Sequence, residues 1–121
     1  MKYDENNIFA KILREEIPCK KIYEDEFILS FYDINPQKKI HALVIPKGKY
    51  IDLDDFNSNA SNDEIVGLMK GITIVSKKLG ISSIDGKGYR ALANISDYGG
   101  QEVPHLHFHL FGGEKVGKMV S

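Results

Sequence analysis

Three of the four histidines in this 121-residue chain lie in one run, His105-Leu106-His107-Phe108-His109-Leu110-Phe111. Strict alternation of polar and apolar residues is the pattern of a half-buried β-strand, because successive side chains point to opposite faces. Read this way, His105, His107 and His109 share one face, with neighbours roughly 7 Å apart. That face looks into a cleft or solvent, while Leu106, Phe108 and Leu110 pack into a core. A lone strand histidine is most often a satisfied polar residue, and a histidine-rich tail can be a purification tag. Tags, however, are continuous, whereas this run is interleaved with large apolar residues and followed by further chain, Gly112 to Ser121.

Two chemistries fit three imidazoles on one face. Neutral imidazole is a common transition-metal ligand, and alternating strand histidines can supply several ligands to one ion. Imidazole, with an unperturbed pKa of about 6.5, is also a nucleophile and a general acid or base near neutral pH. The preceding loop, Asn94 to Pro104, carries the pair Gly99-Gly100, which lets backbone N–H groups approach a ligand such as a phosphate closely.

The elements that must position these groups are legible in outline. The spacing predicts a helix over about residues 7–14, capped by Asn6 or Asn7 and ended near Ile17-Pro18. Lys21 to Glu24 and Phe27 to Tyr32, separated by Asp25-Glu26, read as a hairpin or two adjacent strands, followed by the turn Asp33-Ile34-Asn35-Pro36-Gln37. His41 to Pro46 is a nearly continuous apolar strand, buried on both faces or at a subunit contact. Asp52 to Asn62 reads as a polar surface segment. Ser61-Asn62-Asp63-Glu64 is a capping box, and Ile65, Leu68, Met69, Ile72, Val75 and Leu79 form the packed stripe of the main helix. Tyr89 to Asn94 is a further strand. About five mostly antiparallel strands and two helices make an α+β fold, and the length suits one domain over residues 1–121.

With these segments in place, the chain resembles the histidine triad family in four linked motifs. They are His105-x-His107-x-His109, the segment Asp33-Ile34-Asn35-Pro36-Gln37, the strand His41-Ala42-Leu43-Val44-Ile45-Pro46-Lys47, and the N-terminal stretch from Ile8-Phe9 to Ile17-Pro18. Gly112-Gly113 after the triad points to the Hint branch, the nucleotide-binding phosphoramidases. The resemblance implies the same fold, with the sheets of a homodimer joined into one, and a purine nucleotide of AMP or GMP type as substrate. It also implies cleavage of the P–N bond of a nucleoside 5′-phosphoramidate through a nucleotidyl-histidine, releasing nucleoside monophosphate and amine.

The central ring, His107, is the best placed nucleophile, since two others flank it on its face. By position, His109 contacts phosphate or the leaving amine, and Asn94 with the backbone of Gln101, Glu102 and Val103 holds the non-bridging oxygens. His41 and His105 are supporting members of a proton relay, each also readable as an ordinary hydrogen-bonded histidine. Asp33 matches the carboxylate that accepts the ribose hydroxyls, a task suited to an anionic double acceptor; alternatively it caps the Pro36 turn. Ile8, Phe9, Ile12, Ile17, Phe31 and Ile34 match positions lining an apolar slot for the base. Many family members carry Ser or Thr where this chain has Glu102, so only the backbone donor carries over there. The tail Gly117 to Ser121 lacks the aromatic found in some relatives.

Composition agrees and excludes other classes. The formal net charge of −1 leaves no basic footprint for nucleic acid or a membrane surface. No apolar stretch approaches the roughly 20 residues that span a bilayer, and the polar start is not a signal peptide, so a cytoplasmic location is expected. Cys19 is the single cysteine, so neither an internal disulfide nor a paired-cysteine zinc site is expected. No cofactor and no metal are expected. Two alternatives stand beside the phosphoramidase: a non-catalytic nucleotide-binding regulatory module, and a zinc-dependent hydrolase in which His105, His107 and His109 or His41 bind the ion.

Overall fold

The computed structural model describes residues 2–119. Five strands, β1 (Lys21–Glu24), β2 (Ile28–Tyr32), β3 (Ile40–Pro46), β4 (Arg90–Leu92) and β5 (Phe108–Gly112), form one sheet in the order β1-β2-β3-β5-β4. Every neighbouring pair is antiparallel. Three helices accompany it: α1 (Ile8–Leu13), α2 (Leu53–Asn59) and α3 (Asn62–Lys78).

Local chemistry accounts for most boundaries. Asn7 caps α1 by accepting the Ala10 N–H at 2.9 Å. Asp25 turns the β1–β2 hairpin by accepting the N–H groups of Phe27 at 2.8 Å and Ile28 at 3.0 Å. At the start of α3, Ser61 Oγ accepts the Glu64 N–H while Glu64 Oε1 accepts the Ser61 N–H, both at 3.1 Å, which completes the expected capping box.

Side-chain alternation along the sheet produces two cores. On one face Ile28, Ala42, Val44 and Leu110 pack with Leu106 and Phe56 against Leu68, Ile72 and Val75 of α3. On the other, Leu29, Phe31, Leu43 and Ile45 pack against Phe9 and Ile12 of α1. The burial of β3 on both faces therefore arises within one chain. His41, His109 and Phe111 lie on the α1 face, which leaves the stretch of sheet beyond α1 open for chemistry.

Four expectations need correction. The segment 52–62 is not merely polar surface: Asp52 caps α2 through the Asp55 N–H at 2.8 Å, and the helix buries Phe56 at 1 % exposure against Tyr50. A single inward aromatic is too little periodicity to announce a helix. Met69 is 50 % exposed, because it sits roughly 100° around the helix from Leu68 and outside the stripe. The strand expected over Tyr89 to Asn94 is confined to Arg90–Leu92. The triad strand begins only at Phe108, since the His105 N–H is donated back to Val103 O at 2.8 Å and the Leu106 N–H to Tyr50 O at 2.9 Å rather than to a strand neighbour.

Candidate active site

A cavity of about 410 Å³ opens on the α1 face. His107, His109, His41, Asp33, Asn94, Glu102 and Val103 line it, and so does Phe9. Its position follows from topology. Asp33 lies where β2 ends and β3 begins, whereas the loop carrying Asn94 and Glu102 joins β4 to β5 at the opposite end of the sheet. His107 and His109 occupy the span between.

His105 is not part of this cavity. Its ring is 0 % exposed, with Nε2 donating to Pro46 O at 2.9 Å and Nδ1 accepting the Tyr3 hydroxyl proton at 2.6 Å. The expected row of three outward rings is broken because the bend at residues 103–105 turns His105 into the core. What His105 contributes to the cavity is its carbonyl: His107 donates Nδ1–H to His105 O at 2.7 Å. A carbonyl can only accept, so in the neutral ring this bond assigns the proton to Nδ1 and leaves the lone pair on Nε2.

A second chain of hydrogen bonds sets the other two rings. The Gln37 backbone N–H is donated to His41 Nδ1 at 3.1 Å, so neutral His41 carries its proton on Nε2. That proton points to His109 Nδ1 at 2.9 Å, with Asp33 Oδ2 at 3.5 Å from the same nitrogen. His109 then holds its own proton on Nε2. The pattern provides one lone pair, at His107, and one donor, at His109, on rings whose centroids are 5.0 Å apart.

All four imidazoles are biased toward the neutral form. Burial lowers His105 to about 4. It lowers His109 to about 4 as well, reinforced by His107 and His41. Burial also lowers His107, partly opposed by its bond to the His105 carbonyl and by the charges of Asp33 and Glu102. For His41, burial again lowers the pKa against the opposing charge of Asp33.

Other residues named from the sequence are dispersed. Gln101 is a brace: its N–H is donated to Ser96 O at 3.0 Å, its side-chain oxygen accepts the Ser96 N–H at 2.9 Å, and its amide donates to Ile51 O at 2.6 Å and Val103 O at 3.0 Å. Gln101 thus has no backbone donor left for phosphate, whereas among the described residues the N–H groups of Glu102 and Val103 have no protein acceptor. Asp33 caps its turn and also faces the cavity. Oδ1 accepts the Asn35 N–H at 2.8 Å to cap the turn, and Oδ2 faces the histidines.

The six apolar residues do not form a single slot. Phe9 sets its edge on His107, with centroids 4.9 Å apart, while Phe31 is core. Ile12 and Ile17 line a separate cavity beside Cys19. Ile8 is exposed, and Ile34 is 84 % exposed, because the Asp33–Pro36 turn carries it off the sheet.

Several site residues were missed from the sequence. Phe111 lies parallel to His109 and packs on His41 at 4.3 Å; its place two residues after His109 is the signal that assigns it to the same face. Leu43 and Leu92 line the cavity floor. Tyr3 and the Gln37 backbone have no such local signal. The metal alternative also changes. Asp33, His41 and His109 offer ligand atoms all within 4.8 Å of one another, but His41 Nε2 and His109 Nδ1 are already hydrogen-bonded to each other at 2.9 Å. His105 has no free nitrogen to add.

Residues 14–116 match the model of the family described as HIT domain. The chain belongs to the HIT domain family. This HIT domain is 50% identical over 119 residues to an uncharacterized 13.2 kDa HIT-like protein of Azospirillum brasilense, across 98% of this chain and 95% of that protein. It is 38% identical over 117 residues to a purine nucleoside phosphoramidase of Escherichia coli strain K12, across 97% of this chain and 95% of that enzyme. Among solved structures, a HIT family hydrolase from Clostridium thermocellum superposes with a TM-score of 0.84 at 37% identity, covering 98% of this chain and 99% of that one. The α+β architecture of this HIT domain is therefore the HIT-like fold. Among its described residues, no helix is long and apolar enough to cross a membrane.

Proposed function

We propose that this protein hydrolyses the P–N bond of purine nucleoside 5′-phosphoramidates through a nucleotide covalently held on His107. The carrying observation is the His107 Nδ1–H bond to the His105 carbonyl, which leaves Nε2 as an unprotonated nucleophile beside the His109 donor. The similarity to an enzyme named purine nucleoside phosphoramidase supports the reaction class and the purine.

The substrate enters with its ribose hydroxyls on Asp33 and its non-bridging oxygens on Asn94 and the N–H groups of Glu102 and Val103. A phosphate anion against His109 favours a proton on the His41–His109 pair, with Asp33 as counter-charge. His107 Nε2 forms a bond to phosphorus. The P–N bond breaks with its electron pair on nitrogen, which takes the proton from His109 Nε2, and the amine leaves. Water then attacks phosphorus and gives a proton back to His109, while the P–Nε2 pair returns to His107. Preorganised N–H donors on the developing charge contribute a few kcal/mol each, on the order of 3. The pairing of two copies through a sheet edge belongs to the same proposal, as do one catalytic domain spanning the chain and a cytoplasmic setting.

A zinc hydrolase is the second reading, favoured by the Asp33, His41 and His109 cluster. Adenosine 5′-phosphoramidate turnover in excess EDTA separates the two. EDTA-resistant AMP release that vanishes in His107→Asn supports the covalent route. Release abolished by EDTA and restored by zinc overturns it, and nucleotide binding with no release leaves a regulatory binding module.

A further inference from the structure

The charged side chains that line the cavity are acidic. Two carboxylates line it, Asp33 at one end and Glu102 at the other, and among the described residues no lysine or arginine does. The histidines between them are held toward neutrality, so they do not cancel those charges at rest. Asp33 is engaged with the Asn35 N–H and with His41. Glu102 is exposed, and among the described residues its carboxylate makes no hydrogen bond and no ion pair. Its charge nevertheless reaches His107, whose protonated form it favours.

We propose that Glu102 selects substrates whose leaving amine carries a second, cationic group. The inference rests on the phosphoramidase reading above and adds which substituent the site prefers. With phosphorus at His107 Nε2 and the leaving nitrogen beside His109, an alkyl substituent on that nitrogen that is long enough to pass the phosphate reaches the part of the same cavity that Glu102 lines. An anionic substrate approaching two carboxylates is repelled, and a positive charge on the leaving group offsets that repulsion only if it meets the unpaired one. A neutral alkylamine gains nothing there, whereas an ω-ammonium alkylamine pairs with Glu102. The backbone that carries Glu102 is braced, since Gln101 ties the loop to Ser96, Ile51 and Val103. Glu102 is thus a specificity-determining residue for the leaving group.

The test compares kcat/KM for two adenosine 5′-phosphoramidates of equal length, one bearing an N-hexyl and one an N-(ω-aminohexyl) group, in the native protein and in Glu102→Gln and Glu102→Lys. The native protein is expected to favour the ammonium substrate by about fivefold, the scale of one solvent-exposed ion pair. Glu102→Gln brings the ratio near one and Glu102→Lys inverts it. The native preference also shrinks as salt rises from ~50 to ~500 mM. A ratio near one in the native protein, or a preference that survives in Glu102→Gln, overturns the role of Glu102 while leaving the phosphoramidase reading intact. Turnover of neither compound overturns both.

Discussion

The Nδ1–H of His107 is donated to the backbone carbonyl of His105 at 2.7 Å, so the ring is oriented by main chain and not by a carboxylate. A neutral acceptor fixes the tautomer without greatly stabilising the imidazolium, and with burial it keeps Nε2 available at neutral pH. His107→Asn keeps a polar side chain but removes the nucleophile. Turnover of adenosine 5′-phosphoramidate is expected to fall by at least about 10⁴-fold, while AMP affinity measured by calorimetry stays within a few-fold. Persistent turnover would reassign the nucleophile.

His41 acts at one remove, through His109. Replacing it with Phe removes the Nε2–H donated to His109 Nδ1 and frees the His109 tautomer. The expected result is a fall in kcat of about 10²-fold with KM little changed. The split distinguishes a positioning role from substrate contact, which would raise KM instead.

Burial of neutral His105 makes the fold acid-sensitive. Its folded pKa of about 4 lies below the unfolded value of about 6.5, so above pH 6.5 both states are neutral and the contribution is complete. As pH falls, the unfolded chain takes the proton first, and stability is lost between about 6.5 and about 4. At pH 5 the loss from His105 is about 2 kcal/mol. Urea denaturation at pH 7 and pH 5 should show at least that loss in the native protein, because His109, also lowered to about 4, adds to it. In His105→Gln, which is less stable at pH 7, the pH dependence is flatter; an unchanged pH slope would contradict this account.

Helix α3 offers two stability tests far from the cavity. Ser61→Ala removes the cap that accepts the Glu64 N–H and should cost about 1 kcal/mol. Gly71→Ala places a methyl group against the Ile28 side chain, which is itself fully buried, at a cost of about 1–3 kcal/mol. Both are read from urea midpoints, and a neutral Gly71→Ala would mean that Ile28 repacks freely.

What the sequence determined by itself is local. The Asn7 cap, the Ser61 capping box, the Asp25 hairpin and the apolar strand at His41 to Pro46 all depend on residues within a few positions of one another, and each is found where short-range chemistry places it. The resemblance carried by the triad and its three companion motifs likewise identified the family. The tertiary structure decided which partners the rings find. Nothing near His105 in the chain announces Tyr3 or Pro46, yet those two contacts withdraw its ring from the cavity and leave only its carbonyl. The pairing of His41 with His109 spans 68 positions and exists because β3 and β5 are neighbours in register. Alternation states which face a residue occupies; it does not state where the strand begins, and a bend before Phe108 was enough to turn three expected imidazoles into two rings, a carbonyl and a buried tie.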